Sequence, residues 1–83
     1  MTKRVALSAQ ARADLADVDR AVALRIVSAI QRFAETGAGN IKVLRGIHPP
    51  EFRLRVGDWR VRFHDYGDWI DVLRIRNRRD AYR

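Results

Sequence analysis

Apolar and basic residues alternate along two runs in the last third of the chain. The apolar positions are Phe52, Leu54, Val56, Trp59, Val61 and Phe63, and the arginines between them are Arg53, Arg55, Arg60 and Arg62. Because successive side chains of a strand point to opposite faces, this pattern predicts two strands with one apolar and one cationic face. Gly57-Asp58 gives the two-residue spacing of a hairpin, so we predict strands from Phe52 to Val56 and from Trp59 to Asp65.

A third strand is predicted from Trp69 to Arg76, after a turn at Tyr66-Gly67-Asp68. Alternation again assigns residues to two faces, with the core side taking Leu73 and Ile75 and the opposite side taking Arg74 and Arg76. All three strands therefore contribute arginines to one surface.

The N-terminal half shows helical periodicity instead. Lys3 to Leu7 is a short apolar run that predicts a strand, and Ser8 is placed to cap a helix from Ala9 to about Val18. A longer helix is predicted from Arg20 to Thr36, where apolar residues recur every three or four positions. Those residues are Val22, Ile26, Ile30 and Phe33. Gly37 can end this helix in the left-handed conformation.

The stretch from Asn40 to Glu51 contains a glycine and two adjacent prolines, and it predicts a connector. The element order is then one strand, two helices and three strands. It predicts an α+β fold in which an N-terminal strand and two helices pack on one face of an antiparallel sheet. The other face is expected to be open and basic. With 83 residues, we expect a single domain over residues 1–83.

Composition narrows the class of protein. The net charge is +7 and the sequence pI is about 11.2, while 47% hydrophobic residues is too many for a disordered basic tail. The absence of cysteine excludes disulfides and thiolate zinc sites. No apolar run approaches the ~20 residues of a membrane span, and the first residues are too short a run for a signal peptide. We therefore expect a cytoplasmic protein.

The basic residues of the second half are almost all arginine. From Ile41 onward the chain has eleven basic residues against six acidic ones, and ten of the eleven are arginine. A surface that served only solubility would mix in lysine and glutamate, whereas the planar guanidinium fork matches phosphate. The pattern favours binding to a nucleic-acid backbone, with docking of an acidic protein segment as the alternative.

Few residues suit other chemistry. The histidines, His48 and His64, lack metal-binding spacing, so we expect neither a metal nor another cofactor. No phosphate-binding loop or Ser/His/Asp set supports nucleotide hydrolysis or acyl transfer. His64 shares the predicted cationic face and is a candidate contact. Tyr82 follows an arginine run in which its phenolate would be favoured, although a tyrosine covering the sheet edge fits the sequence equally well.

The aromatic residues of the strands are expected mainly in the core. Of Phe52, Trp59, Phe63 and Trp69, at least three are predicted to point inward because they alternate with arginine. Stacking on nucleobases is the alternative use of such rings.

Two segments resemble the RelE branch of the RelE/ParE toxin superfamily. They are FRLRVGDWRV at 52–61 and LRIRNRRDAYR at 73–83, and Leu44-Arg45-Gly46 resembles the usual lead-in. The resemblance extends to the order of elements over essentially the whole chain. It implies a RelE-like, microbial-RNase-like fold. It also implies a type II toxin that is neutralised by an acidic antitoxin in a heterodimer or heterotetramer.

The resemblance implies a metal-independent endoribonuclease that cleaves mRNA in the ribosome and so inhibits translation. The family's catalytic positions fall on Arg53, Arg55, Arg60, Arg78 and Tyr82. Further RNA contacts are expected from Arg62, Arg74, Arg76, Arg79, Arg83 and His64. Guanidinium groups can stabilise the charge that builds on a phosphate during cleavage. Because arginine is a poor base, Tyr82 is the first candidate to accept the 2′-OH proton and His64 the second.

Two other functions stay open. ParE toxins share the fold but act on DNA gyrase and lack the full set of arginines and tyrosine. A catalytically inert antitoxin-binding module is the other alternative. It is kept open by Arg53 and Arg55, where well-studied relatives have lysines, and by Asn77, where many have histidine.

Overall fold

The computed structural model describes residues 2–45 and 49–79. The helices are α1 (Ala9–Ala16) and α2 (Arg20–Thr36). The strands are β1 (Arg4–Leu7), β2 (Asn40–Arg45), β3 (Glu51–Val56), β4 (Trp59–Asp65) and β5 (Trp69–Asn77). The helices and the hairpin strands therefore begin and end within one or two residues of the predicted positions.

The strands form one sheet in the order β1-β5-β4-β3-β2. The antiparallel pairs β2–β3, β3–β4 and β4–β5 are joined by a parallel pair, β1–β5, so the sheet is mixed. The α+β class with an N-terminal strand and two helices is confirmed, but the sheet is not antiparallel throughout. The chain passes from β1 through both helices to the far edge of the sheet, where β2 runs antiparallel to β1, and three further reversals bring β5 beside β1 in the parallel direction.

The prediction that Asn40 to Glu51 is only a connector is wrong. Asn40–Arg45 is a strand that pairs with β3, with Ile41 opposite Leu54 and Val43 opposite Phe52. The free edge of β3 provides hydrogen-bonding partners for this segment. An edge position also tolerates its high polarity, and Val43 remains 56% exposed.

Local signals fix the helix ends and the hairpin. The Ser8 hydroxyl accepts a hydrogen bond from the Ala11 N–H at 3.0 Å and caps α1. Asp19 caps α2 in the same way, accepting from Ala21 N–H at 3.2 Å. Gly37 ends α2 with φ of 77°, and Gly57 begins the β3–β4 turn with φ of 60°. Both positive values favour glycine.

The core lies between the two helices and one face of the sheet. α1 contributes Ala11, and α2 contributes Ile26, Ile30 and Phe33. The sheet residues of this cluster are Leu54, Val61, Phe63, Ile70, Val72 and Ile75. We call the sheet face that carries them the inner face and the opposite one the outer face. Phe52 and Trp59 also pack against the core, which confirms that at least three of the four aromatic residues point inward.

A β-bulge changes the alternation of β5. Arg62 pairs with Arg74, but the next residue, Phe63, pairs with Val72, so Leu73 is the extra residue. The prediction that Leu73 faces the core is therefore wrong, and Val72 takes that place, buried completely. Ile75, two residues beyond the bulge, is buried as predicted.

Among the residues that the structure describes, neither helix is long and apolar enough to cross a membrane.

Candidate functional site

Two rows of basic residues cross the outer face from strand to strand. The first row runs through Arg55, Arg60 and Arg76 on β3, β4 and β5. The second row begins on β2 and contains Lys42, Arg53, Arg62 and Arg74. Neighbouring strands lie about 4.8 Å apart, and like charges placed directly opposite each other destabilise a sheet. An anion bound on this face would relieve that repulsion.

Arg53 occupies the middle of the second row. Its cross-strand neighbours are Lys42 on one side and Arg62 on the other. The Nε of Arg53 is buried, and no group in the described part of the chain accepts its hydrogen bond. An unsatisfied buried donor is costly, so the fold does not explain this position of Arg53. The terminal nitrogens of a guanidinium can bind an oxyanion, which would stabilise the side chain there.

A third row limits the cationic surface on one side. It contains Glu51, His64 and Asp71. Glu51 Oε1 accepts a hydrogen bond from Arg62 Nη2 at 2.9 Å and lies 3.8 Å from His64 Nε2. Arg62 is 46% exposed and remains accessible despite this pair. The positive charge is therefore concentrated toward the end of the sheet that carries the β3–β4 turn.

Arg74 lies at the edge of the outer face and is bound to helix α1. Its Nε donates to Asp14 Oδ2 at 2.9 Å, and the Ile75 N–H donates to the same oxygen at 2.9 Å. Burial raises the pKa of Asp14, but the hydrogen bonds from Arg74, Ile75 and Gln10 outweigh it, so the pKa is lowered overall. Asp14 thus supplies a hydrogen-bond acceptor to the part of the β5 edge that β1 does not reach. It also neutralises part of the Arg74 charge.

Arg78 and Arg79 continue the basic surface beyond β5. The Arg78 N–H donates to the Asp58 carbonyl at 2.7 Å, which fixes this segment against the β3–β4 turn. Asn77 Oδ1 accepts from the Arg79 N–H at 3.1 Å. Both arginines are exposed and line a concavity with Asp58 and Asn77. Arg78 lies two residues beyond Arg76, which is the β5 member of the first row.

The structure brings together most of the candidate residues. Arg53, Arg55, Arg60, Arg62, Arg76 and His64 lie on the outer face, with Arg74 at its edge and Arg78 and Arg79 at its end. Tyr82 and Arg83 lie outside the described residues, so their roles stay predictions. Sequence reasoning missed Lys42, because its segment was not recognised as a strand. The alternation of Ile41 and Val43 around Lys42 was the available signal.

Sequence reasoning also missed an aromatic pair. Ile70 is buried on the inner face, so Trp69, its neighbour, points to the outer face. The Tyr66 ring stacks on Trp69 with centroids 4.4 Å apart and planes 10° from parallel. Tyr66 was correctly placed in a turn, but the turn also presents its ring beside the third row.

Comparison with known proteins assigns the family. The chain matches the model of the ParE toxin of the type II toxin–antitoxin system parDE over residues 5–82. No curated protein gives a significant match to the sequence.

Solved structures provide a second comparison. A chain of the RelB–RelE antitoxin–toxin complex from Methanococcus jannaschii is 25% identical, with a TM-score of 0.75 over 93% of this chain and 94% of that one. The RelE–RelB complex from Pyrococcus horikoshii OT3 gives 22% identity and a TM-score of 0.77 over 94% and 97%. The RelBE2 complex from Mycobacterium tuberculosis gives 21% and 0.77 over 93% and 99%.

The family match covers nearly the whole chain, and the similar structures are toxin–antitoxin complexes with the same arrangement of two helices and a mixed sheet. The chain therefore belongs to the RelE/ParE superfamily of type II toxins, with a RelE-like structure.

Proposed function

We propose that this toxin is a ribosome-dependent endoribonuclease that stops translation by cleaving mRNA. The observation that carries the proposal is the pair of cross-strand basic rows on the outer face, continued by Arg78 and Arg79. Phosphodiester cleavage builds negative charge on the phosphate oxygens. Fixed guanidinium groups can stabilise that charge because they are already oriented before the reaction.

In the proposed reaction the 2′-oxygen attacks the adjacent phosphorus and the bond from phosphorus to the 5′-oxygen breaks. The 2′-OH proton passes to the Tyr82 phenolate, and the leaving 5′-oxygen takes a proton from water or a neighbouring group. The products are a 2′,3′-cyclic phosphate and a 5′-OH end. Arg53, Arg55, Arg60 and Arg78 bind the phosphate in this scheme. The ribosome is needed because a flat basic face does not by itself align the 2′-oxygen with the leaving group.

We propose a cognate acidic antitoxin as the physiological partner. The similar RelE structures are all complexes with RelB, and this chain has a net charge of +7. A negatively charged segment that is disordered when free could fold on the toxin surface and neutralise it. A toxin–antitoxin heterodimer or heterotetramer is the expected assembly.

The proposal is tested by expressing the toxin without its antitoxin and pulse-labelling the cells. Protein synthesis should fall before DNA synthesis. In a purified system, mRNA on stalled ribosomes should be cut and should carry 2′,3′-cyclic phosphate ends, whereas free RNA under the same conditions should stay intact.

A gyrase-inhibiting toxin is the second candidate, because the matching family model is that of ParE. Early loss of DNA synthesis with gyrase-linked breaks, and intact mRNA on ribosomes, would assign the protein to that function. If neither translation nor replication is affected, the chain is an inert antitoxin-binding module.

Tyr82→Phe separates the proposed enzyme from a protein that only binds. The variant keeps the ring but cannot accept a proton, so cleavage on ribosomes should fall by about 100-fold or more while ribosome affinity stays near wild type. Cleavage and ribosome binding are measured in parallel. A variant that cuts as fast as wild type would eliminate Tyr82 as the base and make His64 the next residue to test.

A further inference from the structure

A stacked aromatic pair lies at the end of the outer face farthest from Arg78. Tyr66 and Trp69 flank the turn between β4 and β5, and their rings are nearly parallel. Tyr66 is 43% exposed. His64 meets the Tyr66 ring edge-on, with centroids 6.2 Å apart. Three aromatic rings thus form one continuous surface, which we call the aromatic platform.

The platform continues the basic rows along β4. Arg60, Arg62 and His64 alternate on the outer face, and Tyr66 follows at the same interval. At about 3.3 Å per residue, the Tyr66 backbone lies about 13 Å beyond that of Arg62. A polymer that places phosphates on the arginines can therefore reach the platform within a few of its repeating units.

Hydrogen bonds hold the turn that carries Tyr66. The Tyr66 N–H donates to the Trp69 carbonyl at 2.9 Å, and Asp65 Oδ1 accepts from the Gly67 N–H at 2.9 Å. Lys3 Nζ donates to the same Asp65 oxygen at 3.1 Å and to the Gly67 carbonyl. The turn is thus fixed to the N-terminal end of the chain before any ligand binds. Such preorganisation reduces the entropic cost of stacking a ligand on the ring.

Three of the four carboxylates near the platform lie close to a cationic side chain, and the fourth, Asp71, lies opposite His64 in the third row. Asp65 is paired with Lys3, Glu51 with Arg62, and Asp68 Oδ2 lies 3.8 Å from Arg4 Nη2. Repulsion of a phosphate backbone is therefore reduced at Asp65 and Glu51, whereas Asp68, which is 69% exposed, and Asp71 still disfavour a phosphate beside the platform. Proteins that bind single-stranded nucleic acids combine exposed aromatic rings with nearby basic residues, so that the bases stack on the rings and the phosphates contact the cations.

We infer that the aromatic platform is a subsite for one nucleobase of single-stranded RNA, stacked on Tyr66, while the flanking phosphates lie on the basic rows. This inference rests on the proposed RNA-binding function and adds a contact that recognises a base rather than the backbone. Stacking accepts any base because each has a π-face, so the subsite would orient the strand without reading its sequence.

The test compares two 2′-O-methyl oligonucleotides of about six units, one with all its bases and one abasic throughout. Their backbone charge is equal, and neither can be cleaved because the 2′-oxygen carries no proton. Binding is measured by fluorescence anisotropy with the full wild-type chain. Since stacking is worth ~1–3 kcal/mol per base, the oligonucleotide with bases should bind about 5- to 100-fold more tightly.

Variants then assign the preference to the platform. Tyr66→Leu keeps an apolar cover on Trp69 but removes the ring, and it should bind both oligonucleotides within about twofold of each other. Tyr66→Phe should keep the wild-type preference. Leu24→Ala is the matched control, because Leu24 is a large apolar residue that is 58% exposed on α2, and it should change nothing. Thermal melting of each variant establishes that it is folded.

The outcomes separate the subsite from the function on which it rests. If wild type binds both oligonucleotides with equal affinity, or if Tyr66→Leu keeps the preference, the base subsite is refuted while backbone binding stands. If wild type binds neither, RNA binding by the outer face fails together with the subsite. An acidic peptide is titrated in the same assay. If Tyr66→Leu binds this peptide more weakly than wild type does, while its affinity for both oligonucleotides is unchanged, the platform serves a protein partner and the inference is wrong.

Discussion

The two faces of strand β4 differ in what their residues do for the protein. Val61 and Phe63 on the inner face are 0% and 1% exposed and contact residues from α2 and from both neighbouring strands. Arg60 and Arg62 on the outer face have arginines as their cross-strand neighbours on both sides. Burial of apolar area stabilises the fold, whereas opposed like charges weaken it.

The buried inner face stabilises the fold without the arginines of the outer face. A sheet face in contact with solvent can carry threonine, lysine and glutamate in mixed order, which would stabilise the same strands better. Like charges lie directly opposite each other along both rows, and the ion pairs of Arg62 with Glu51 and of Arg74 with Asp14 offset part of the repulsion. A bound polyanion would offset more of it, so we interpret the pattern as a ligand site. Mutations on the two faces should accordingly separate stability from activity.

The largest expected effect is on the inner face. Phe63→Ala removes a ring that lies 5.1 Å from Phe33 and 5.6 Å from Phe52, centroid to centroid, so the free energy of unfolding should fall by about 3–5 kcal/mol. Chemical denaturation measures this loss. Arg62→Ala, one position earlier on the outer face, is the control and should change stability by no more than about 0.5 kcal/mol. Equal losses in both variants would mean that the two faces do not differ as argued.

The second prediction concerns the basic site, where substitutions should lower activity. Arg60→Ala or Arg78→Ala should lower cleavage on ribosomes by about 10²–10³-fold, because one preoriented donor to the phosphate is lost. Arg60→Lys should recover only part, since an ammonium group cannot bind two phosphate oxygens as a fork does. Arg25→Ala on the exposed side of α2 is the charge-matched control. Wild-type rates in both alanine variants would remove these residues from the site.

Sequence patterns predicted those parts of the fold that depend on near neighbours. The hairpin followed from the alternation around Gly57-Asp58, and helix α2 followed from its apolar period and from its end at Gly37. The cationic face followed from the same alternation, because a period of two assigns every arginine of β3 and β4 to one side.

The missed features depend on residues far apart in sequence. β2 forms because β3 offers a free edge, and the alternation of Ile41 and Val43 around Lys42 is too short to identify that partner from the sequence. The bulge at Leu73 places the Leu73 carbonyl where it accepts a hydrogen bond at 2.9 Å from the hydroxyl of Ser8, which lies 65 positions earlier in the chain. The stacking of Tyr66 on Trp69 depends on the turn geometry fixed by Lys3. Such contacts are tertiary, so local propensity cannot predict them.

The third prediction concerns Asp14, which binds the Arg74 side chain and the Ile75 N–H at the edge of the sheet. Asp14→Ala leaves the Ile75 N–H without its acceptor and Arg74 without its ion pair, so stability should fall by about 1–3 kcal/mol. Because the folded-state pKa of Asp14 is lowered, its ionised form stabilises the protein above about pH 4, and this contribution is lost as the pH falls below that value.

Asp14→Asn should therefore lose less stability than wild type between about pH 5 and pH 3. Denaturation at a series of pH values measures the difference. Asp68→Asn is the control, because Asp68 is 69% exposed in a loose pair with Arg4 and should behave as wild type does. Parallel pH profiles for wild type and Asp14→Asn would show that the ionised form of Asp14 adds no stability to the fold.

The smallest expected effect tests whether the arginine rows cost stability. Arg55 is exposed, lies directly opposite Arg60, and makes a 3.2 Å hydrogen bond to the Gly57 carbonyl. Arg55→Thr removes one of two opposed charges and adds a β-branched residue, so the free energy of unfolding should rise by about 0.2–1 kcal/mol. The gain should shrink in about 1 M salt, where the Debye length is about 3 Å and the repulsion in wild type is already screened.

The same variant should cleave mRNA more slowly, because Arg55 belongs to the proposed phosphate site. Denaturation at low and high salt, with cleavage measured alongside, decides the matter. A variant that is less stable at low salt would show that Arg55 supports the fold, and the outer face could then no longer be assigned to ligand binding on energetic grounds.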